Sequence, residues 1–120
     1  MHFSLRPYRK LVIDIESDLR ILKERVTALW DADFFGLADC EKKLRHLESK
    51  FANVQGNLSR ANEKEQEVVR TIYGKNFQLI MGLIENIGET LDQKSGLRSF
   101  LVTFSRFLLL IKPIFDFFGL

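Results

Sequence analysis

Proline is nearly absent from this sequence of 120 residues. Its two prolines, Pro7 and Pro113, leave the long stretch between them without the residue that most strongly breaks helices. Hydrophobic residues make up 46% of the chain and charged residues 28%, a balance typical of one globular domain. We therefore expect an all-α protein in which residues 1–120 form a single helical domain.

The sequence also has little cysteine and no large excess of charge of either sign. Cys40 is the single cysteine and cannot form an internal disulfide, and the two histidines, His2 and His46, lie far apart in sequence. Neither histidine follows a glutamate at the three-residue spacing used by di-metal bundles. The formal net charge of +2 is too small to indicate a nucleic-acid partner. We expect no metal, no other cofactor and no nucleic-acid partner.

Motifs for catalysis are missing as well. No glycine-rich phosphate loop follows a strand pattern. The carboxylate pairs at helical spacing, such as Asp14 with Asp18, have no neighbouring base that would complete an acid–base site. Cys40 falls in an apolar stripe, where it acts as a small hydrophobic residue. The sequence predicts a protein that is not an enzyme and has no catalytic residue.

No long hydrophobic run is free of charge. Acidic residues from Asp14 onwards interrupt the aliphatic residues near the N-terminus, so a secretory signal is not expected. The most apolar region, residues 97–120, contains four charged residues that are unfavourable at membrane depth: Arg98, Arg106, Lys112 and Asp116. The sequence predicts a cytoplasmic protein, with membrane association as the alternative location.

Apolar residues recur three and four positions apart in four segments, which is the spacing of one helix face. We expect helices at about residues 8–32, 36–61, 63–92 and 97–118, packed as an elongated antiparallel four-helix bundle with coiled-coil-like heptads. The first stripe comprises Val12, Ile15, Leu19, Leu22, Val26 and Leu29. The third includes Ile72, and the fourth comprises Leu97, Leu101, Phe104, Leu108, Ile111, Phe115 and Phe118.

Two features mark boundaries between these segments, and a third interrupts the last segment. Gly36 favours a hairpin between the first two helices over one continuous helix. Asn62 and Glu65 have the spacing of a capping box that starts the third helix. Pro113 removes an amide donor inside the fourth segment, so we expect a kink or a restart there and a segment in two parts.

Glycine occurs inside the third segment, where each residue of this type costs a helix about 1 kcal/mol relative to alanine. Gly74, Gly82 and Gly88 interrupt an otherwise apolar and helical pattern. Close approach of a neighbouring helix is the favoured explanation. A bend or a segment able to change shape is the alternative.

One pentapeptide occurs twice, as residues 33–37 and as residues 116–120, each with the sequence Asp-Phe-Phe-Gly-Leu. Both copies indicate an apolar plug that closes a helix end, with glycine for the turn. The second copy is also the end of the chain, a position that fits a domain cut from a longer protein.

The last segment is more apolar than one bundle core requires, and it holds six of the eleven phenylalanines. It is either the central helix of the bundle or a surface for a second copy of the chain, another helical protein or a membrane. The leading hypothesis is a protein–protein interaction or oligomerisation module. Its candidate interface comprises Val102, Leu109, Leu110, Ile114, Phe117, Phe118 and Leu120.

A basic cluster in the second segment comprises Lys42, Lys43, Arg45 and Lys50. A solvated helix face is the favoured interpretation, with a phosphate or anionic-lipid contact as the alternative. The rival function is a membrane-active or peripheral membrane-binding bundle. In broad architecture such a bundle resembles the helical executioner domains of cell-death proteins, whose amphipathic segments insert into membranes after release.

Overall fold

The computed structural model describes residues 4–30, 33–94 and 96–120. These residues form four helices: α1 (Arg6–Ala28), α2 (Phe34–Arg60), α3 (Glu63–Gln93) and α4 (Arg98–Phe117). The principal extents are 51 × 22 × 19 Å, so the bundle is elongated. The predicted all-α four-helix bundle is confirmed, and its helix boundaries agree closely with those expected from the apolar spacing.

Consecutive helices run in opposite directions, but they are not all neighbours. The Arg25–Asp39 and Lys50–Asp18 ion pairs join α1 to α2 in antiparallel order, which confirms the predicted hairpin. α1 also packs against α3, and α4 packs against α2 and α3. The α1–α3 pair is parallel, because Lys94 near the end of α3 reaches the last turn of α1. α2 and α3 are therefore diagonal, and α4 is one of four outer helices, so the central-helix explanation is wrong.

The start of α3 is capped as the sequence predicts, and the end of α1 is capped by a lysine from another helix. The amide of Glu65 donates to the Asn62 side chain at 2.9 Å, and the amide of Asn62 donates to the Glu65 carboxylate at 3.0 Å, as predicted. The Nζ of Lys94 donates to the carbonyl oxygens of Val26, Thr27 and Leu29 at 2.7–2.9 Å. These oxygens lie at the C-terminal end of α1, where helix carbonyls lack partners within the helix. Lys94, at the end of the neighbouring helix α3, therefore caps α1.

The core is one apolar cluster to which all four helices contribute. The predicted stripe of α1 is buried along its length, with Ile15, Leu19 and Leu22 at 0% exposure, and α2 buries Leu44 and Leu47 to the same extent. In α3 the predicted stripe is also buried, apart from Ile72, which is 47% exposed.

The buried face of α4 is broader than the predicted one. Four residues of the predicted stripe are buried, namely Leu97, Phe104, Ile111 and Phe115, and Leu101 and Phe118 are partly buried, whereas Leu108 is 39% exposed. The core also receives Phe100, Phe107 and Ile114, which are seven residues apart. α4 therefore contributes two neighbouring apolar stripes to one core, and its phenylalanines supply much of the buried area.

The expectation that Pro113 divides the fourth segment into two parts is wrong, because α4 continues through it as one helix. Pro113 and Leu109, the residue four positions before it, are both exposed, so the place of the missing hydrogen bond is on the outer side of the helix. α3 continues through its glycines as expected. The close-approach explanation fails at Gly74 and Gly82, where a Cβ would meet nothing within 4 Å, and fits Gly88, where Phe104 Cε1 lies 3.4 Å from the added atom.

The two copies of the pentapeptide have opposite roles. The second closes α4: Gly119 has φ +76°, and the amides of Gly119 and Leu120 donate to the carbonyls of Asp116 and Phe115. The first copy opens α2 instead of closing a helix, because Asp33 accepts a hydrogen bond of 2.9 Å from the Gly36 amide. The prediction that the first copy closes a helix end is therefore wrong.

Candidate functional site

The outward face of α4 carries large apolar side chains. Val102, Leu109 and Leu110 are 55%, 72% and 57% exposed. The opposite face of the helix is inside the core, so α4 is apolar on both sides, with charged residues interspersed on the outer one. Three of the seven candidate interface residues thus lie where a partner could reach them.

The other four candidate residues belong partly or wholly to the monomer. Ile114 is 1% exposed and lies in the core, so its assignment to the interface is wrong. Phe118 stacks on Phe77 with ring centres 4.2 Å apart, and Phe117 meets Phe118 edge to face. Leu120 packs against the core as well. Together Phe117, Phe118 and Leu120 close one end of the bundle.

Arg70 of α3 holds this closed end in place. Its guanidinium carbon lies 4.2 Å from the centre of the Phe117 ring, and its Nε donates a hydrogen bond of 2.8 Å to the Phe117 carbonyl oxygen. A cation over an aromatic face and a charged donor to a free helix carbonyl are both favourable. The last turn of α4 is therefore fastened to α3.

A groove of about 340 Å³ runs between α3 and α4 beside the exposed apolar residues. Its floor is apolar and includes Met81, Ile84 and Ile111, and its rim is charged, with Glu85, Lys112 and Asp116. Leu108 and Leu109 border it. The groove extends the apolar outer surface of α4 towards α3 and adds residues of α3 that the sequence had not placed there.

The basic cluster of α2 is divided between two surroundings. Lys42 and Arg45 are exposed, whereas Lys50 forms an ion pair with Asp18 of α1. Lys43, His46 and Lys50 line a shallow groove of about 190 Å³ together with Asp18 and Ile21. Lys50 therefore joins two helices, and the four basic side chains do not share one free surface.

An exposed aromatic tip was missed by the sequence reasoning. Trp30, Phe34 and Phe35 are 76%, 78% and 91% exposed at the end of the bundle where α1 meets α2. The sequence does contain a sign of this tip, because the heptad stripe stops after Leu29. The aromatic residues that follow it lie outside any stripe and have no predicted position in the core. We refer to these three residues as the aromatic tip.

Cys40 is a buried thiol with a raised pKa. Burial raises the pKa of its thiol to about 11, and the neighbouring Asp39 carboxylate acts in the same direction while Arg25 opposes both. The side chain is 1% exposed, so a thiolate is neither available nor accessible for nucleophilic chemistry. Cys40 is a core residue, as its position in the stripe indicated.

Within residues 4–30, 33–94 and 96–120, no three histidine, cysteine, aspartate or glutamate side chains are grouped so that they could hold a metal ion. Among the same residues, no helix is both long and apolar enough to cross a membrane.

Comparisons with known protein families, with curated protein sequences and with solved structures found no match for this chain. The functional argument therefore depends on the surface described above, and above all on the outer side of α4.

Proposed function

We propose that this chain is a non-catalytic, cytoplasmic interaction module that binds a helical partner through the outer face of α4. The partner is a second copy of the chain or another helical protein. The observation that carries the proposal is the exposure of Val102, Leu109 and Leu110 on a helix whose opposite face already fills the core. These side chains contribute nothing evident to the monomer.

The energetic reason is the free energy of removing apolar side chains from water. Fully burying one leucine contributes about 1.5–3 kcal/mol, so Leu109 and Leu110 together offer a substantial driving force for association. Arg98, Lys112 and Asp116 are exposed around them. An apolar centre with a charged rim is the usual composition of a specific protein interface.

The proposal is tested by thiol footprinting in extracts of cells that produce the chain. Ser105→Cys places a thiol on the outer face of α4, and Ser49→Cys places one on the exposed side of α2 as the matched control. Cys40 adds little background at pH 7.5, because it is 1% exposed and the reagent cannot reach it. We expect alkylation at position 105 to be slower in extract than in dilute purified protein, with no difference at position 49. Equal rates at position 105 would contradict the proposal.

A second candidate, peripheral membrane binding, is favoured by the aromatic tip. Exposed tryptophan and phenylalanine side chains partition into the membrane interface. Trp30 is the only tryptophan of the chain, so its fluorescence reports on the tip directly. A blue shift with vesicles of phosphatidylcholine and phosphatidylserine, abolished by Phe34→Ser with Phe35→Ser, would support this candidate. An unchanged spectrum together with no co-sedimentation would exclude it.

A further inference from the structure

Six exposed residues along α4 follow a heptad pattern of their own. They are separated by four, three, four, three and four positions, and each is exposed: Arg98, Val102, Ser105, Leu109, Lys112 and Asp116. Residues at this spacing lie on one side of a helix, and Val102 and Leu109 are the apolar members of the set. We call these six residues the outer seam. It is distinct from the buried stripe on the opposite side of α4.

The outer seam has opposite charges at its two ends. Arg98 begins it and Asp116 ends it, about 27 Å apart at 1.5 Å per helical residue. In a pair of identical helices that run antiparallel about a two-fold axis, each Arg98 meets Asp116 of the second copy. Val102 then faces the aliphatic part of Lys112, and Ser105 faces Leu109. A parallel pair would instead place Arg98 against Arg98 and Asp116 against Asp116.

Both charges are accessible to a second copy. Among the described residues, Arg98 takes part in none of the ion pairs, and Asp116 is bonded to Lys112 of its own helix at 3.0 Å with both side chains largely exposed. An exposed pair four residues apart contributes little to stability, so exchanging Lys112 for Arg98 of a second copy costs little. Opposed helix dipoles also favour the antiparallel direction.

We propose that the partner of the α4 outer face is a second copy of this chain, paired antiparallel along the outer seam about a two-fold axis. This inference rests on the proposed function and specifies its partner. In such a closed symmetric pair every contact occurs twice, so two Arg98–Asp116 contacts flank two Leu109 side chains. The groove between α3 and α4 lies beside the seam and is covered along its α4 edge.

Cysteine cross-linking of the purified chain tests the orientation. Arg98→Cys and Asp116→Cys are prepared separately, then oxidised alone and as an equal mixture. The antiparallel pair predicts a disulfide-linked dimer in the mixture and little in either sample alone, because identical positions lie far apart. Efficient cross-linking of each variant with itself would show a parallel pair and overturn the inference.

Charge reversal provides a test that does not depend on oxidation. Arg98→Asp and Asp116→Arg should each weaken self-association at least tenfold, since each places like charges together at both ends. The chain with both substitutions should recover most of the affinity. No recovery would overturn the antiparallel register.

The inference and the proposed function fail in different ways. If the purified chain stays monomeric at 500 µM and the cysteine mixture gives no dimer, a second copy is not the partner. Protection of position 105 in extract would then still support binding of another helical protein. If position 105 is unprotected in extract and the purified chain also stays monomeric, both proposals are wrong.

Discussion

The guanidinium carbon of Arg70 lies 4.2 Å from the centre of the Phe117 ring, and Arg70 Nε donates a hydrogen bond to the carbonyl oxygen of the same residue. This contact fixes the last turn of α4 on α3. Phe117 is therefore partly covered by Arg70 and does not belong to the exposed surface that the sequence predicts for it.

Arg70→Ala should lower the free energy of unfolding by about 1–2 kcal/mol, since it removes a cation–π contact and a charged hydrogen bond. Urea unfolding measures the change. Glu67→Gln is the control, because it removes the exposed Glu67–Arg70 ion pair while leaving the contacts to Phe117. Its effect should stay below about 0.5 kcal/mol. An equal loss in both variants would mean that Phe117 is not the important partner.

Pro113→Ala should stabilise the chain. α4 is continuous at this position, so an alanine amide can donate to the carbonyl of Leu109 and restore a helical hydrogen bond. The expected gain is about 2 kcal/mol, which is the propensity difference of about 3 kcal/mol reduced by the greater entropy of the unfolded alanine chain. Ser105→Ala on the same exposed side should change stability by less than about 0.5 kcal/mol. A loss of stability in Pro113→Ala would show that α4 requires the proline.

Gly82→Ala should also stabilise, by about 0.5–1 kcal/mol, because the added Cβ meets nothing within 4 Å and alanine is the better helix former. Gly119→Ala should instead destabilise by about 1–2 kcal/mol, since φ is +76° at that residue. Thermal unfolding of the two variants gives the comparison. If the melting temperatures of both variants were higher than that of the natural chain, or both lower, the assigned roles of the two glycines would be contradicted.

Raising the pH should weaken the fold partly through Cys40. Well below pH 9.0 the thiol is protonated in both states and adds no pH dependence. Above that pH the unfolded chain loses the proton, whereas the folded chain keeps it until pH is about 11, so the unfolded state gains stability. Between pH 8 and pH 10.5, urea stability should fall more steeply in the natural chain than in Cys40→Ala. Tyr8, whose pKa is also raised by burial, contributes to the fall in both chains.

The fold could be predicted to a large extent because each of the first three helices has one dominant apolar stripe. In α1 the apolar residues from Val12 to Val26 define one helix face, and the structure buries that face. α4 has two adjacent stripes, through Leu108 and through Phe107, and the spacing alone does not show that the core takes residues of both. Phe107 and Phe115, one from each stripe, both pack against Phe51, with ring centres 5.7 Å and 6.3 Å apart.

Local sequence was a poor guide where tertiary surroundings determine the outcome. The two copies of Asp-Phe-Phe-Gly-Leu have the same propensities, yet Phe35 is 91% exposed while Phe118 stacks on Phe77. Val102, Leu109 and Leu110 could be placed on the outer side by their angle around the helix. The aromatic tip could not, since its exposure follows from the α1–α2 turn lying at the end of the bundle.

Sedimentation equilibrium of the purified chain tests the central claim most directly, which is that the outer face of α4 binds a second copy. The chain of 14.0 kDa should approach twice its monomer mass as concentration rises into the micromolar range. Leu109→Lys should remain monomeric with unchanged helix content. Ile13→Lys, the control on α1 at a residue 55% exposed, should behave like the natural chain. Identical masses for the natural chain and Leu109→Lys at every concentration would contradict the claim.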